Sequence, residues 1–566
     1  MQNLLNQVKD LVQDTFETAF KNSDKKVELE YCDLQFGHFA TNIALMSSKD
    51  LNLSPLVIAE KLTLSLESND IIRSVEVKSP GFINITLTDQ AILGSLSSTH
   101  EDVLGSVDSL GAGKKMIIDY SHPNIGKPMG VHHLLSTIIG DSIKRIYKAT
   151  GHEVVADNFI GDLGTQFGKL IHAVKTWGDM NAIEANPVPE LLKLYVKFHN
   201  EAEEDELLDE AGRAEYKKIE QGDPENRELL KKIQAWSMAE MLAVYEQLRV
   251  EFDYFNGESF YEDKIESIIN LGIKRGLFVE SQGALVCETD NANEPPALIR
   301  KKDGTSLYLT RDLARIAYWE KTWHPDYMVN VVDVAQSLQL KQVYEVASKL
   351  KLTDADNVHV AFGRMQFADG SMSTRKGNII LVEDLISQTK SRVRDQVVSL
   401  SKDLSPLEQT DLTDILAFNC IKYNILRQNR ISNISFDWES MLSLDGNSAP
   451  YLSYTAVRMK ALKKQGEVYG AAERQPTAEL SEIEIEIILK ISRIGGVVKA
   501  ATKNYQPSDI ANYCYDICRL YNSFYHAHRV VEDGVVNNTR LLISNSVLSI
   551  VERCFDLLGL QVPDRM

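Results

Sequence analysis

From Lys114 onward the chain alternates short apolar runs with helical patterns, and this alternation constrains its fold more than any other feature. The run 116–120 is typical of a buried strand, and the apolar spacing from Leu134 to Tyr147 predicts a helix that ends at Gly151. Further strands are predicted at 154–157, 327–332 and 358–362, with a helix at 338–350. Strands that alternate with helices in this way predict an α/β protein with a doubly wound parallel sheet.

Different patterns flank this Rossmann-like region. An amphipathic helix at 4–20 and strands at 75–77 and 82–87 predict a small N-terminal α+β domain over 1–113. The sheet domain is expected over 114–404, with a polar helical insertion at about 177–257, and an all-helical domain over 405–566. The acidic stretch 201–210 in the insertion is typical of a solvated helix face rather than a metal site.

Composition excludes several classes of protein. The 566 residues include 80 acids and 61 bases, so the net charge of 61 − 80 = −19 argues against a protein coated in basic charge. The 44% of hydrophobic residues exclude a disordered chain. An acidic first helix and the lack of long apolar runs predict a cytoplasmic protein without membrane contact. The scattered cysteines, including Cys514 and Cys518 one turn apart, favour buried thiols over a structural metal.

Two polar loops follow the first strands of the predicted sheet. The loop 119–133 places Lys127, His132 and His133 at a helix start, where backbone N–H groups favour anions, so it is a candidate phosphate site. The alternative is a polar connector with exposed histidines. After the next strand, glycines at 161, 164 and 168 allow close approach of a ligand, and Asp162 could accept from a ribose hydroxyl or an ammonium group. Such turns are also common for structural reasons.

Two further segments carry candidate chemistry. The loop 370–378 holds hydroxyls and the adjacent cations Arg375 and Lys376, which could stabilise charge on a leaving pyrophosphate, although a solvated surface turn has the same composition. The segment 303–312 predicts a hairpin strand that leads into a helix, with Tyr308 and Asp312 four residues apart. The alternative is an ordinary hairpin followed by a capped helix.

Taken in order, these motifs resemble the arginyl-tRNA synthetase family of class I aminoacyl-tRNA synthetases. The similar segments are Ser-His-Pro-Asn-Ile-Gly-Lys-Pro at 121–128, Ser-Thr-Ile-Ile-Gly-Asp at 136–141, Gly-Asp-Leu-Gly-Thr-Gln-Phe-Gly at 161–168, Tyr-Leu-Thr-Arg-Asp at 308–312 and Met-Ser-Thr-Arg-Lys-Gly-Asn at 372–378. The insertion's end at 257–261 and the chain's end at 556–566 are also similar to the family. The resemblance covers essentially the whole chain.

The resemblance implies a two-step reaction with L-arginine, ATP with Mg²⁺, and tRNA as substrates. Arginine's carboxylate attacks the α-phosphorus of ATP, pyrophosphate leaves, and the arginyl group passes to the terminal ribose of tRNA. In this family the first step generally requires tRNA already. Two anions must be positioned and phosphoryl charge stabilised, which favours cationic and hydrogen-bonding groups. The expected catalytic residues are Lys127, His132, His133, Arg375 and Lys376.

The same resemblance assigns the substrate contacts. A guanidinium favours carboxylates in a planar arrangement, and Asp119 and Asp312 are the acids at the predicted active edge. The expected arginine-binding residues are Asp119, Asn124, Tyr308, Asp312 and Gln336. The expected ATP-binding residues are Gly130, His133, Gly161, Asp162, Gly164, Ser371, Met372 and Ser373.

The chain departs from the family in both signatures. The usual His-x-Gly-His is replaced by Gly130, Val131, His132 and His133, so we hypothesise that His132 takes over part of the role of the missing imidazole. In the second signature Ser371 and Thr374 stand where class I enzymes usually have lysines. Lys127, Arg375 and Lys376 must therefore supply positive charge.

Two regions are candidates for RNA contact. The region 417–465 has seven bases and three acids, a local balance of 7 − 3 = +4, which suits contacts with phosphates. By resemblance it belongs to an anticodon-binding domain, and the N-terminal domain to a module that contacts the tRNA elbow. Tyrosines here could stack on bases, or be ordinary core aromatics. The expected contacts are Phe82, Asn84, Arg427, Arg430, Tyr451, Tyr454 and Arg458.

The main prediction is therefore an active arginine–tRNA ligase that acts as a monomer. Because the first signature is altered, a catalytically silent tRNA-binding regulator is one alternative. An adenylating ligase with a non-tRNA acceptor is another, and the two predicted RNA modules count against it.

Overall fold

A computed structural model describes residues 4–21, 24–66, 69–97, 107–205, 207–291, 293–302, 308–367, 381–468 and 479–566. The chain forms two compact units, one over Gly111–Leu442 and one that combines Met1–Leu110 with Ser443–Met566. The helix Pro406–Leu426, which the sequence division groups with the C-terminal domain, falls within the first of these units.

The unit 111–442 is built on a four-stranded parallel sheet, as the sequence predicts. Its strand order is β11-β10-β5-β6, and every pairing in it is parallel. The strands are β5 (Lys115–Asp119), β6 (Glu153–Asp157), β10 (Tyr327–Asp333) and β11 (Asp356–Phe362). The chain leaves β5 toward β6 on one side and β10 toward β11 on the other, so the strand order reverses between β5 and β10. Ligands bind at such reversal points, outside the carboxyl ends of the strands.

Helices cover this sheet and form the insertion. Tyr261, Leu313 and Trp319 are among the buried side chains that pack with the apolar residues of β5 and β6. The helices of this unit are α5 (Val131–Ala149), α6 (Thr165–Trp177), α7 (Met180–Ala185), α8 (Pro187–Ala202), α9 (Leu207–Gln221), α10 (Pro224–Leu248), α11 (Glu262–Lys274), α12 (Tyr308–Trp323), α13 (Ser337–Lys349), α14 (Val382–Leu400), α15 (Pro406–Leu426) and α16 (Trp438–Leu442).

Small sheets complete this unit. An antiparallel sheet of order β7-β8-β9 precedes α12, and two short strands pair in parallel near the end of the unit. These strands are β7 (Phe278–Ser281), β8 (Ala284–Cys287), β9 (Ala297–Arg300), β12 (Met365–Phe367) and β13 (Ile434–Phe436). Turns of 3₁₀ helix lie at Glu258–Tyr261 and Val334–Gln336.

The other unit contains an antiparallel sheet of order β1-β2-β4-β3 and a set of packed helices. Its strands are β1 (Glu30–Tyr31), β2 (Phe39–Thr41), β3 (Ile72–Lys78), β4 (Phe82–Leu87), β14 (Val531–Glu532) and β15 (Val535–Val536), with a 3₁₀ turn at Leu34–Phe36. Its helices are α1 (Leu4–Ala19), α2 (Ile43–Leu51), α3 (Pro55–Leu66), α4 (Asp89–Ser97), α17 (Ala449–Val468), α18 (Glu482–Ile491), α19 (Ile494–Asn504), α20 (Pro507–Ala527) and α21 (Asn538–Leu557).

The helical structure expected after residue 405 is confirmed, with short strands between some of the helices. The short strand β13 and the hairpin of β14 and β15 interrupt the helices. Among the described residues, every helix is too short or too polar to span a bilayer.

Candidate active site

A cavity of about 530 Å³ opens at the carboxyl edge of the parallel sheet. The segments that follow β5 and β6 line it, together with the ends of β10 and β11 and the first turns of α5 and α12. Of the residues predicted from the sequence, it brings together Asn124, His132, His133, Gly161, Tyr308, Asp312 and Gln336. The cavity therefore lies where the strand order reverses.

The turn after β5 sets one wall of the cavity. Ser121 and His122 have φ angles of 85° and 54°, a left-handed conformation that is uncommon for residues other than glycine. Buried hydrogen bonds hold the turn: Ser121 N–H donates to Ser136 Oγ over 2.8 Å, and the hydroxyls of Ser121 and Tyr245 lie 2.7 Å apart. Burial lowers the pKa of His122, whose Nε2 is buried with no hydrogen-bond partner among the described residues. The strained turn thus directs a neutral imidazole toward the cavity.

His133 is poised as a hydrogen-bond donor at the start of α5. The N–H of Gly130, the N-cap residue, donates to His133 Nδ1 over 3.1 Å. Burial, with further contributions from His132, His122 and Lys127, lowers the pKa of His133 well below its usual value. A neutral imidazole that accepts at Nδ1 carries its proton on Nε2. That N–H and the positive end of the helix suit an anionic oxygen.

His132 packs directly against His133. The two ring centroids are 3.8 Å apart, with an angle of 47° between the ring planes. His132 is exposed and also lines the cavity. The structure therefore supplies a second imidazole beside the helix start, although Gly130 replaces the first histidine of the family's signature.

Asn124 and Gly161 approach each other across the ends of β5 and β6. They form a parallel bridge, in which Ile125 N–H donates to the carbonyl of Gly161 over 3.0 Å. A Cβ atom on Gly161 would lie 2.2 Å from Asn124 Oδ1, so only glycine fits here without moving the asparagine. Gly164 has a φ of 118° and caps α6.

Lys127 and Asp162 make contacts away from the cavity lining. Lys127 Nζ lies 4.3 Å from the ring centroid of Tyr195, on α8 of the insertion. Asp162 accepts hydrogen bonds from the backbone and hydroxyl of Ser259, the first over 2.9 Å. In this structure neither side chain lines the cavity, so their predicted contacts with ATP require rearrangement and stay predictions.

The acidic end of the cavity holds an arginine that the sequence analysis did not single out. Arg315 Nη2 donates to Asp312 Oδ1 over 2.9 Å, and Nη1 donates to Asp119 Oδ2. Asp119 is completely buried and does not line the cavity, so its predicted direct contact with the substrate is not present in this arrangement. Because Arg315 follows Asp312 by three positions on one helix, the spacing could have indicated the pair.

Further polar groups at this end were also missed. Glu258 lies beside the guanidinium of Arg311 at 3.6 Å, and burial raises the pKa of Glu258 to about 7. Gln339 Nε2 lies 3.4 Å from Asp312 Oδ2. Two residues that the sequence did predict lie with them: Tyr308, 61% exposed at the start of α12, and Gln336, which closes a 3₁₀ turn after β10. Glutamines and short turns carry no periodic signal, which is why pattern analysis did not select Gln339.

Several predicted residues fall outside the described part of the chain. Ser371, Met372, Ser373, Arg375 and Lys376 all lie in 368–380, so the structure does not test their roles. Between residues 4 and 566, the described ranges contain no grouping of three or more His, Cys, Asp or Glu side chains that could hold a metal ion.

The predicted RNA contacts differ in exposure. Phe82 is 43% exposed, whereas Asn84 is buried within the N-terminal sheet. Arg430 Nη1 donates to the carbonyl of Ala361 over 2.6 Å, and Arg427 Nη2 donates to Asn424 Oδ1 over 3.1 Å. These internal contacts make Asn84, Arg427 and Arg430 weaker candidates than exposed side chains.

The helix α17 carries the other predicted RNA contacts. Tyr454 is exposed, and the guanidinium carbon of Arg458 lies 4.7 Å from its ring centroid. The ring of Tyr451 instead packs at 5.8 Å from that of Tyr515. Tyr454 is therefore better placed than Tyr451 to stack on an unpaired base.

Family models match three consecutive parts of the chain. Residues 100–438 match the model for "tRNA synthetases class I (R), catalytic domain", and 452–566 match the DALR anticodon binding domain. Residues 3–87 match the arginyl tRNA synthetase N terminal domain.

Individual relatives align over nearly the whole chain. The arginine–tRNA ligase of Fusobacterium nucleatum subsp. nucleatum is 36% identical over 563 residues, with 98% of each chain covered. That of Clostridium acetobutylicum is 36% identical over 92% of each chain. Among solved structures, the arginyl-tRNA synthetases of Plasmodium falciparum and Thermus thermophilus both superpose with a TM-score of 0.79 over 100% of each chain. Their identities of 23% and 19% support the fold alone.

The fold, the order of the motifs around the cavity and the full-length relatives agree. The chain belongs to the arginyl-tRNA synthetase family, within class I of the tRNA synthetases.

Proposed function

We propose that this chain attaches L-arginine to its cognate tRNA through an arginyl-adenylate, with ATP as the energy source. The observation that carries the proposal is a single cavity with complementary ends. At one end a neutral His133 presents an N–H donor at the start of α5, and at the other Asp312 presents a carboxylate. Such a cavity suits ATP phosphates at one end and a cationic side chain at the other.

In the proposed first step, the cavity aligns the carboxylate of arginine with the α-phosphorus of ATP. Asn124 lines the same cavity and is proposed to bind the amino acid's backbone groups. His133, with His132 beside it, donates to phosphate oxygens and stabilises the charge that develops on the transferring group. A carboxylate oxygen of arginine forms a bond to the α-phosphorus as the bond from that phosphorus to the bridging oxygen of pyrophosphate breaks, and pyrophosphate leaves with its charge. Mg²⁺ would enter as part of the ATP substrate and would supply countercharge to the phosphates.

Lys127 and the segment 368–380 are proposed to complete the phosphate site when substrates bind. Lys127 would then leave the ring of Tyr195 for the triphosphate. Arg375 and Lys376 would supply charge to the leaving pyrophosphate, and Ser371, Met372 and Ser373 would contact the nucleotide. Gly130, Gly161 and Gly164 allow the nucleotide to approach the backbone.

We further propose three functional regions, 1–113, 114–404 and 405–566, the first and last of which contact tRNA. Phe82 and Tyr454 are the candidates with exposed rings, whereas Arg458 is half-buried and donates to Asn522 Oδ1 over 3.0 Å. The enzyme is expected to act as a monomer in the cytoplasm. Light scattering of the purified chain, with and without tRNA, would determine its oligomeric state.

The proposal is tested by two assays on the purified full-length chain. Exchange of pyrophosphate into ATP and acylation of tRNA are measured with each standard amino acid, with and without tRNA. Of the standard amino acids, only arginine should support both reactions. Binding of tRNA without either reaction would instead identify a silent regulator. Exchange with arginine but no acylation of any tRNA would identify a ligase with another acceptor.

The hypothesis about His132 has its own test. If His132 replaces the missing imidazole of the signature, His132→Gly should slow arginine-dependent exchange by about 10²-fold, as expected for loss of a donor to a developing charge. His324→Gly is a matched control because His324 is exposed at a φ of 46°, where glycine is tolerated. Unchanged exchange in His132→Gly would exclude the compensating role.

A further inference from the structure

The buried end of the cavity already contains a guanidinium. Arg315 lines the cavity, yet it is only 4% exposed. Its two terminal nitrogens donate to different acids, Nη1 to Asp119 and Nη2 to Asp312. These are the two acids that the sequence predicts for the guanidinium of a substrate. A side chain of the protein therefore occupies the position between them.

Both oxygens of Asp119 are already engaged by groups of the protein. Its Oδ2 accepts from Arg315 and, over 3.1 Å, from Asn330 Nδ2. Its Oδ1 accepts from the N–H of Phe159 over 3.2 Å, and His122 Nδ1 lies 3.6 Å away. Since Asp119 is also 0% exposed, a substrate could reach it only by displacing Arg315.

Asp312 is held firmly through one oxygen only. Its Oδ1 accepts from Arg315, whereas its Oδ2 has a weak partner in Gln339 Nε2, at 3.4 Å. Asp312 and Gln339 both line the cavity. Oδ2 is therefore the carboxylate oxygen that this pair leaves for a ligand.

Aromatic rings keep Arg315 in place. Its guanidinium carbon lies 4.5 Å from the ring centroid of Phe159 and 4.9 Å from that of Trp319. A planar cation held between two carboxylates and two rings has little freedom to swing aside. The arginine is a fixed part of the wall.

We propose that Arg315 determines the specificity of the amino-acid site by closing its buried end and so setting the length of side chain that fits. The substrate's guanidinium stops at Asp312 Oδ2, with neutral partners in Gln339, Gln336 and Tyr308. The substrate's guanidinium cannot bind between Asp119 and Asp312, because Arg315 occupies that position. The inference rests on the proposed function, because it assigns this end of the cavity to arginine.

Removal of the Arg315 guanidinium should leave a space between the carboxylates of Asp119 and Asp312. In Arg315→Ala the carboxylates of Asp119 and Asp312 can bind a planar cation between them. The guanidinium of the substrate arginine should then bind closer to Asp119, which moves the substrate's own carboxylate away from the α-phosphorus of ATP. A displacement of about 1 Å can reduce a rate about 10²-fold, so kcat for arginine should fall by about that factor without an increase in KM. The rate with homoarginine, whose side chain is one methylene longer, should rise relative to the rate with arginine, because the longer side chain spans the added depth of the cavity.

The experiment compares the wild type, Arg315→Ala and Arg315→Lys in exchange assays with arginine and homoarginine. Guanidinium chloride at millimolar concentration should restore kcat for arginine in Arg315→Ala and leave the wild type unchanged. Arg315→Lys keeps the charge but cannot bridge both acids, so its kcat should be intermediate. Arg553→Ala, which removes a half-buried arginine paired with Asp556 far along the chain from the cavity residues, is the control.

The outcomes separate the inference from the proposed function. An unaltered preference between arginine and homoarginine, with no rescue by guanidinium, would overturn the role of Arg315 while the wild type still uses arginine. A wild type inactive with arginine would overturn the proposed function.

Calorimetry then tests the inference directly: guanidinium ion should bind at one site to Arg315→Ala, but not to the wild type or to Arg315→Ala combined with Asp119→Asn. Should Arg315→Ala not fold, Arg315→Lys must still show the shift toward homoarginine.

Discussion

His38 is a buried histidine that links two strands of the N-terminal sheet. Its Nδ1 accepts from the N–H of Leu87 over 3.0 Å, and its own N–H donates to the carbonyl of Ile85. Burial lowers its pKa from 6.5 to about 4. The unfolded chain therefore binds a proton at mildly acid pH that the folded chain does not.

This shift gives the stability of the protein a defined dependence on pH. The stabilising contribution is complete above pH 6.5 and is lost as the pH falls toward about 4. His38→Asn keeps an acceptor near the position of Nδ1 but cannot titrate. Urea unfolding should show the wild type losing about 2 kcal/mol relative to this variant between pH 7 and 4.5, after allowance for solvent screening. Parallel pH profiles would contradict the assignment.

Gly161 is required for the space it leaves to Asn124. In Gly161→Ala the new Cβ would lie 2.2 Å from Asn124 Oδ1, so the asparagine must turn away from the cavity. We expect kcat/KM for arginine to fall about 10²-fold in the exchange assay, with little change in the unfolding transition. A variant with normal kinetics would show that Asn124 does not position the amino acid.

At the residue scale, the sequence identifies which side chains surround the cavity better than it identifies which of them contact one another. The positions of His133, Asn124 and Asp312 around one cavity agree with the motifs. The partner of Asp119 could not be predicted, because Arg315 is 196 positions away and the contact depends on the folded sheet. Which carboxylate faces a ligand and which is neutralised internally is a tertiary property.

At the scale of elements, long periodic segments were predicted well and short ones were not. The predicted strands at 116–120 and 327–332 correspond to β5 and β10, and the helix at 338–350 to α13. Strands of two or three residues, such as β13 and β14, were missed because so few residues carry no periodicity. Of the segment 303–312, residues 303–307, on which the predicted hairpin strand falls, lie outside the described ranges, and the predicted helix begins at Tyr308 as α12.

Two glycines allow α6 and α9 of the insertion to pack closely. A Cβ on Gly168 would lie 2.1 Å from the carbonyl oxygen of Gly212 and 2.7 Å from Tyr216 Cβ. Gly168→Ala should therefore force the helices apart and lower the free energy of unfolding by about 1–3 kcal/mol.

The control for this substitution is Gly496→Ala in α19, where an added Cβ meets nothing within 4 Å. Alanine at that exposed helical position should instead stabilise the protein by up to about 1 kcal/mol. Denaturant titrations of both variants provide the comparison. If Gly168→Ala proved as stable as the wild type, close packing of these helices would not be needed.

At the scale of the whole molecule, charge counted along the sequence differs from charge available at the surface. The region 417–465 has a local balance of +4 in a chain of −19. However, Lys422 is buried and donates to the carbonyl of Leu248, and Lys460 pairs with Asp564 at 3.0 Å. Lys463 and Lys464, by contrast, are exposed on α17.

Binding of tRNA should therefore depend on salt through few side chains. We expect affinity to fall at least about tenfold between 50 and 200 mM salt. The double variant Lys463→Ala and Lys464→Ala should reduce the slope of log K against log salt by about 1 for each phosphate that is no longer neutralised. Lys274→Ala, an exposed lysine of α11, is the control, and fluorescence titrations at several salt concentrations provide the measurement. An unchanged slope would place the RNA-binding surface elsewhere.

The order of strands in the parallel sheet also has a consequence for biosynthesis. β5 pairs with β10, and Asp119 contacts Asn330, 211 positions later in the chain. In the other unit, Tyr31 contacts Ser492, 461 positions later. Contacts so distant in sequence form slowly, because a long loop must close first. During translation β5 can pair with β6 early, but its other edge stays unpaired until β10, more than half of the chain's length from the start, has left the ribosome. The unit that combines 1–110 with 443–566 matures later still.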